Sequence, residues 1–320
     1  MMVDTKNNAS NTKPLLYLAF AIIVVLLLYL LLGQSHNPTS TVTTIITTQN
    51  TTALSTSIPQ AQPVQNPSSY KGQASVVFSQ STTLTGDIVT SGNITVLLRG
   101  VVINTNGYSL ISGGTFDNQG SIATGLAGNS GENASYSYGG SGGGGWAFGC
   151  GNAGGGSTAN NGGSTVVAGG SGLNNGFNQA AGNGASGSSP SPTLNNLDIQ
   201  TMYSNGMQKY LEGAGGGSAT NCDSTETGGS GSYGVYIQAN KVMAGVIGTG
   251  GQAGSGANEE ASGGGGGGAI LISYGLGGYI SGSYNFGGGT AGIGNYGKAG
   301  SGGSGGLIAY NYSSSPPIAP

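Results

Sequence analysis

The hydrophobic and polar positions of the chain fall into stretches of different pattern. The first is Leu15 to Leu32 (LLYLAFAIIVVLLLYLLL), 18 residues without a charge. As a helix it would be about 27 Å long, close to the ~30 Å hydrocarbon thickness of a bilayer. Pro14 suits a first helical turn, and Tyr17 and Tyr29 lie near the two ends, where amphipathic rings favour the interface. Cleaved signal peptides have shorter apolar cores and a small-residue cleavage site, and Gly33 to Pro38 (GQSHNP) holds no Ala-x-Ala. The pattern therefore predicts an uncleaved transmembrane signal anchor. Lys6 and Lys13 precede it and the next basic residue is Lys71, so the positive-inside rule places residues 1–14 in the cytoplasm and the bulk of the chain outside the cell.

Residues 33–69 are rich in Ser, Thr, Pro and Gln with few large apolar positions, which reads as an extended stalk. Fully stretched, such a spacer reaches about 115 Å. His36, the one histidine of the chain, lies in this stalk, where it is expected to be solvated.

From residue 70 the pattern changes to short β-prone runs: Ala74–Phe78, Asp87–Thr90, Asn93–Leu98, Val101–Ile103 and Tyr108–Ile111. Ser91-Gly92, Arg99-Gly100 and Asn106-Gly107 separate them and suit turns. Further on, Val235, Ile270 and Leu307 each begin an apolar run after a glycine tract, at spacings of 35 and 37 residues. The tracts are Gly228–Gly234, Gly263–Gly268 and Gly302–Gly306, and the near-fixed period predicts one structural unit used repeatedly, with the tract as the corner through which a strand enters. Thr193 to Glu212 is different. Leu194, Leu197, Met202, Met207, Tyr210 and Leu211 fall near helical spacing, Pro192 precedes them and Gly206 interrupts them. This predicts a small helical insertion packed on the β body.

Composition narrows the class. The chain has 320 residues, of which 68 are glycine and only 5% are charged, and its net charge is −3. Ordinary domains carry about 7% glycine and about 25% charge. Without a Gly-X-Y period, and with 10 prolines, the glycine is not collagenous. Low charge and 16 tyrosines argue against disorder and for an ordered all-β ectodomain over 70–320. The glycine-rich stretch 126–190 has two readings: extended polyglycine chains hydrogen-bonded side by side, or loops between turns of a β body. Seven Lys and Arg residues, with none between Arg99 and Lys209, exclude nucleic acid as a partner.

Gly113 to Gly125 (GGTFDNQGSIATG), with the similar cadences Gly245–Gly250 and Gly278–Gly282, resembles segments that form successive coils in right-handed parallel β-helix, pectin-lyase-like adhesin domains of prokaryotic surface proteins. The resemblance covers residues 80–125 and 228–312. It implies a glycine-rich β-solenoid, with a β-sandwich of hairpins as the structural alternative. It also implies adhesion to, or recognition of, a surface glycan or protein. A structural element of an envelope or filament, self-associating through sheet edges, is the second reading.

The remaining signals concern covalent chemistry and ligands. Cys150 and Cys222 are the only cysteines, and on an extracellular domain they are expected to form a disulfide, worth about 4 kcal/mol in the chain-entropy model. Asn50, Asn93, Asn133 and Asn311 are candidate N-glycosylation acceptors. Gly292 to Lys298 (GIGNYGK) begins like a phosphate-binding loop, but Ala299 stands where a magnesium-holding Ser or Thr is needed, so no nucleotide is expected. The acids Asp87, Asp117, Glu132, Asp198, Glu212, Asp223, Glu226, Glu259 and Glu260 are scattered, and Glu259 and Glu260 would point to opposite sides of an extended chain. Neither an enzyme nor a metal nor a cofactor is expected. Tyr136, Tyr138, Tyr236, Tyr274, Tyr279, Tyr284, Tyr296, Tyr310 and Tyr312 sit among glycines, where rings either fill a thin core or present flat faces to a sugar.

Overall fold

The computed structural model describes residues 62–126, 138–148, 152–153, 156, 159–161, 165–167, 171–174, 180–184, 186, 194–220, 225–256 and 259–320. All of these belong to one compact unit, Pro59–Pro320. The expected anchor at 15–32, most of the stalk, Cys150, Cys222, Asn50 and Asn133 lie outside the described residues. Among the described residues no helix is long and apolar enough to cross a membrane.

Strand dominates over helix (37% against 6%), and the main sheet is parallel and curled. Its strands form two rows and a second, five-stranded parallel sheet forms a third, and the chain visits the three in turn. The first row holds Tyr70–Gly72, Ile88–Thr90, Leu110–Ser112, the first halves of Val235–Met243 and Ile270–Ile280, and Leu307–Asn311. The second holds Val64–Gln65, Val76–Phe78, Ile94–Val96, Thr115–Asn118 and the second halves of the two long strands. The third holds Thr82–Thr83, Val102–Asn104, Ser121–Ala123, Val246–Gly248 and Ser283–Asn285. Every pairing within the rows is parallel, which sets aside a sandwich of antiparallel hairpins.

The expected repeat is literal. Val235 pairs with Ile270 and Ile270 with Leu307, so residues 35 and 37 apart in sequence occupy one rung. The cadences at 245–250 and 278–282 are offset by one row, because Val246 stacks on Ser283 and Lys241 on Gly278. Apolar ladders fill the interior: Ile88–Leu110–Ile237–Ile272 from the first row, Val76–Ile94–Phe116–Val242 from the second and Ile103–Ile122–Ile247 from the third. Each side chain so buried is worth about 1.5–3 kcal/mol, which lets strands of three residues hold a fold together. The expected strand at Asn93–Leu98 stops at Val96, and Leu97 and Leu98 turn outward into an exposed loop.

Long insertions leave the third row and return at the first. They cover 124–234, 249–269 and 286–306, and across the largest of them the ladder continues unbroken from Leu110 to Ile237 and from Ile122 to Ile247. The glycine-rich parts of these insertions pack together as extended segments. Gly263–Gly268 lies among six others. Its amides donate to carbonyls of 214–217 (Gly263 to Gly217, 2.9 Å; Gly266 to Ala214, 2.7 Å), of 300–303 (Gly264 to Gly300, 3.0 Å; Gly267 to Gly303, 2.9 Å) and of 249–252 (Gly265 to Gln252, 2.9 Å; Gly268 to Thr249, 2.8 Å). Its carbonyls accept from Gly143 and Gly140, from Gly229 and Ser232, and from Gly289. Partners recur every third residue, the period of a polyglycine II helix. The tract is thus the centre of a bundle, not the corner expected from its position before a strand.

None of its six glycines has a positive φ. Space explains them instead: a Cβ at any of the six would lie between 1.9 and 2.3 Å from a neighbouring carbonyl oxygen. Outer segments tolerate one side chain per turn. Ser301 and Ser304 alternate with glycines and point at Asn183 and Ser186, bonding them at 3.1 and 3.0 Å.

The helical insertion appears as α1 (Asn196–Ser204) and α2 (Gln208–Leu211), broken at Gly206 with φ of +95°. Asn195 caps α1 by accepting from the amides of Leu197 and Asp198, and Asp198 accepts in return from the Asn195 amide at 2.9 Å. Ile199, Met202, Met207 and Leu211 cover the outer face of the first row at Ile111, Tyr236, Leu271 and Ile308. The segment after Leu307–Asn311 returns over the same face, where buried Gln238 donates to the Ile318 carbonyl (2.7 Å) and accepts from its amide (2.9 Å).

Candidate functional site

The bundle has a near end and a far end. Gly268 leads directly into the sheet strand at Ile270, so Ser262 and the turn before it lie at the far end. Segment 138–148 runs antiparallel to it: Gly140 bonds Gly267, Gly143 bonds Gly264, and Trp146 pairs with Ala261. Tyr138 is therefore near α2, where its amide donates to the Tyr210 carbonyl, and Trp146 is distal. The insertion 286–306 runs out through Gly289 and Gly292, turns at 293–297, and comes back through Gly300 and Gly303.

The distal end holds a row of three aromatic residues. Trp146 is fully buried with Ala181, Ala261 and Ala299 around it. Its ring stacks on Phe148 (centroids 6.4 Å, planes 18° apart), and Phe148 meets Tyr296 at 5.2 Å. Gly297 lies against the indole, where an added Cβ would sit 2.3 Å from Cε2. The row thus leads from a buried anchor to a ring at the surface, since Tyr296 is 37% exposed and Ile293 beside it 72%. Tyr296 lines a shallow depression of about 330 Å³ with Ala180, Ile293, Asn295 and Lys298. An open ring flanked by an amide and an ammonium can stack on a sugar face while the polar groups bond its hydroxyls.

The residues singled out in the sequence are distributed otherwise. The stretch 292–298 is a hairpin, with the Gly294 amide bonding the Gly297 carbonyl at 2.9 Å, and no helix follows it to cradle phosphate. Several of the acids hold structure, and Glu132 and Asp223 lie outside the described residues. Asp87 accepts from the Ser109 amide (2.9 Å) and the Tyr203 hydroxyl (2.8 Å), Asp117 from Gln119, Asp198 caps α1 and Glu226 bonds Ser255. Glu260 is buried in the pair with Ala147. Among the described residues no group of acids, histidines or cysteines could hold a metal. Asn93 is exposed, with its Oδ1 accepting from the Thr115 amide, and Asn311 is exposed on the edge strand.

Of the tyrosines singled out, Tyr138, Tyr236 and Tyr312 are buried and Tyr274, Tyr279, Tyr284 and Tyr310 are half-buried. Tyr236 is buried and bonds Gln238, and burial pushes its phenol well above the usual range. Burial also raises Tyr138, Tyr203, Tyr279 and Tyr312. Tyr279 bonds Tyr284 and stacks near Tyr274 (5.5 Å) beneath the last strands. Tyr136 lies outside the described residues, and Tyr310 is half-buried against α1, bonding Asn196. Trp146 and Phe148, which anchor the surface ring, were not singled out in the sequence. The signal was there in the one tryptophan of the chain, next to a glycine run.

Comparison with known protein families, curated proteins and solved structures finds no match for this chain.

Proposed function

We propose that the chain is a membrane-anchored surface protein whose extracellular part is a β-solenoid of three strands per turn. Its polyglycine bundle carries a recognition face for a surface glycan. The observation behind this reading is the row Trp146–Phe148–Tyr296, which ends in an exposed ring on a distal turn of the bundle. A bundle knit by backbone bonds on every side gives such turns a stiff base, so the ring costs little ordering entropy when it meets a ligand. The anchor and stalk expected at 15–69 would hold that face away from the cell.

A structural role in an envelope or filament is the second reading. It is favoured by the edge strand Leu307–Asn311, which carries neither charge nor proline to discourage pairing with another chain. Glycan-array binding by the full chain in nanodiscs tests the first. Saccharide binding that disappears in Tyr296→Ala while the variant stays folded at the assay temperature supports recognition at the bundle tip. Absence of any bound saccharide together with spontaneous polymer formation would replace it with the structural role.

A further inference from the structure

A second surface feature lies on the sheet, away from the bundle tip. The turns joining the second row to the third are short: 119–120, 244–245 and 281–282 have two residues each and 79–81 has three. The turn 97–101 has five (Leu97-Leu-Arg-Gly-Val101). It projects beyond the turn stacked next to it, and the step between them forms a groove of about 900 Å³ floored by Asn118–Ser121 and Gly245. The projecting turn is fixed, with the Leu97 amide bonded to the Phe78 carbonyl (3.0 Å), the Val101 amide to the Leu98 carbonyl (3.2 Å) and the Val102 amide to Ser81 Oγ (3.0 Å).

This fixed turn leaves apolar surface in water. Leu97, Leu98 and Val246 line the groove and are 40, 59 and 48% exposed. Arg99, exposed and the one arginine in the chain, lines the same groove beside the two leucines. Among the described residues no carboxylate pairs with it, and the acid of that face, Asp117, is engaged by Gln119 Nε2 at 3.1 Å. A guanidinium is suited to bidentate capture of a carboxylate. The apolar lining is aliphatic, which fits leucine-like side chains better than the flat face of a sugar. A single cation gives no grip on a phosphate polymer.

We propose that this groove binds an extended peptide segment of a partner protein in which one carboxylate is flanked by aliphatic side chains. Arg99 takes the carboxylate, and Leu97, Leu98 and Val246 take the flanking side chains. The proposal is independent of glycan recognition at the bundle tip.

Fluorescence anisotropy with two labelled peptides, Gly-Ser-Leu-Glu-Leu-Ser-Gly and its Gln counterpart, tests it on the full chain in nanodiscs. The Glu peptide is expected to bind saturably at millimolar concentration or below, and the Gln peptide about tenfold more weakly. Arg99→Ala should remove the difference between the two peptides, whereas Leu98→Ser should weaken both. Added salt should weaken only the Glu peptide, and Tyr296→Ala should change neither. Equal binding of the two peptides to the unaltered chain, unchanged binding by Arg99→Ala, or no saturable binding overturns the proposal. Both variants are surface changes, so melting at the unaltered temperature verifies that any loss is a loss of contact.

Discussion

A Cβ placed on Gly265 would lie 2.0 Å from the carbonyl oxygen of Ser230, a distance no packed pair of atoms adopts. The Ser230 carbonyl belongs to a segment that is itself bonded to Gly263 and Gly266 through Gly229 and Ser232, so it cannot retreat without breaking those bonds. Gly265→Ala is therefore expected to destabilise the unit by about 3 kcal/mol or more, through overpacking that the backbone cannot relieve. In a protein of this size that lowers the melting temperature by roughly 6–12 °C. Gly250→Ala is the control, because its nearest neighbour would be the Gly287 carbonyl at 3.6 Å, and its φ is not positive. It should melt within a degree or two of the unaltered protein. Equal melting of the two variants would show the bundle to be loose.

The contrast between these two glycines explains what the sequence could and could not reveal. The strand ladder was legible because parallel stacking brings residues of equal rank onto one rung, so the 35- and 37-residue spacings of Val235, Ile270 and Leu307 carry the pairing directly. The helical insertion was legible because Leu211, Met207 and Met202 keep a helical period against a background of glycine, and because Gly206 marks its break. The bundle was only half legible. Gly250 and Gly265 are the same letter, and a segment made of nothing else has no side-chain period to show which neighbours surround it. Its partners are set by backbone bonds to segments as distant as Gly140 and Gly303, and no local pattern encodes those. The aromatic row at the tip was illegible for a related reason: Trp146 and Tyr296 come to the same end of the bundle from segments 150 residues apart, and no local pattern encodes that meeting.

Gln238 supplies a second test. It is wholly buried, bonds both backbone groups of Ile318 and accepts from the Tyr236 hydroxyl at 2.8 Å. Gln238→Ala strands these partners, at a cost of about 2–4 kcal/mol. Hydrogen exchange should locate the damage. The amide of Ile318 is expected to exchange much faster while that of Val242 in the adjoining strand row stays protected. Unchanged exchange at Ile318 would mean that α1, through Gln200 and Asn196, holds the segment 313–320 alone.

The buried and half-buried tyrosines are expected to limit stability at alkaline pH. Tyr203 donates to Asp87 at 2.8 Å, and burial first, then that bond and the carboxylate charge, raise its pKa above the ordinary 10.0. A raised pKa means that the folded state holds the proton more tightly than the unfolded chain. The resulting stability is complete below about pH 10 and declines as the pH rises above it, because the unfolded phenol ionises first. Tyr236, Tyr138, Tyr279 and Tyr312 shift in the same direction and add to the decline. Denaturant midpoints should therefore be level from pH 7 to about 9.5 with respect to these groups, and fall steeply beyond. Tyr203→Phe should make that fall shallower by the slope of one proton. A fall of unaltered steepness in Tyr203→Phe would rule out its part in the limit.

The tip separates anchoring from contact. Trp146 is fully buried between Ala181, Ala261 and Ala299, and Tyr296 reaches the surface two rings further along. Trp146→Ala removes a large core side chain and should cost about 3–5 kcal/mol, loosening the distal turns together. Tyr296→Ala gives up a part-buried ring and its contact with Phe148, and should cost about 1–2 kcal/mol, well below the cost of Trp146→Ala. Binding should invert that ranking if the exposed ring is what meets the ligand. Tyr296→Ala then loses saccharide affinity while still folded, and Tyr296→Phe keeps it, because the flat face and not the hydroxyl makes the stack. Affinity lost equally in Tyr296→Phe would assign recognition to the hydroxyl. Affinity kept in Tyr296→Ala would move the recognition surface off this turn altogether, leaving the aromatic row as the core of a structural tip.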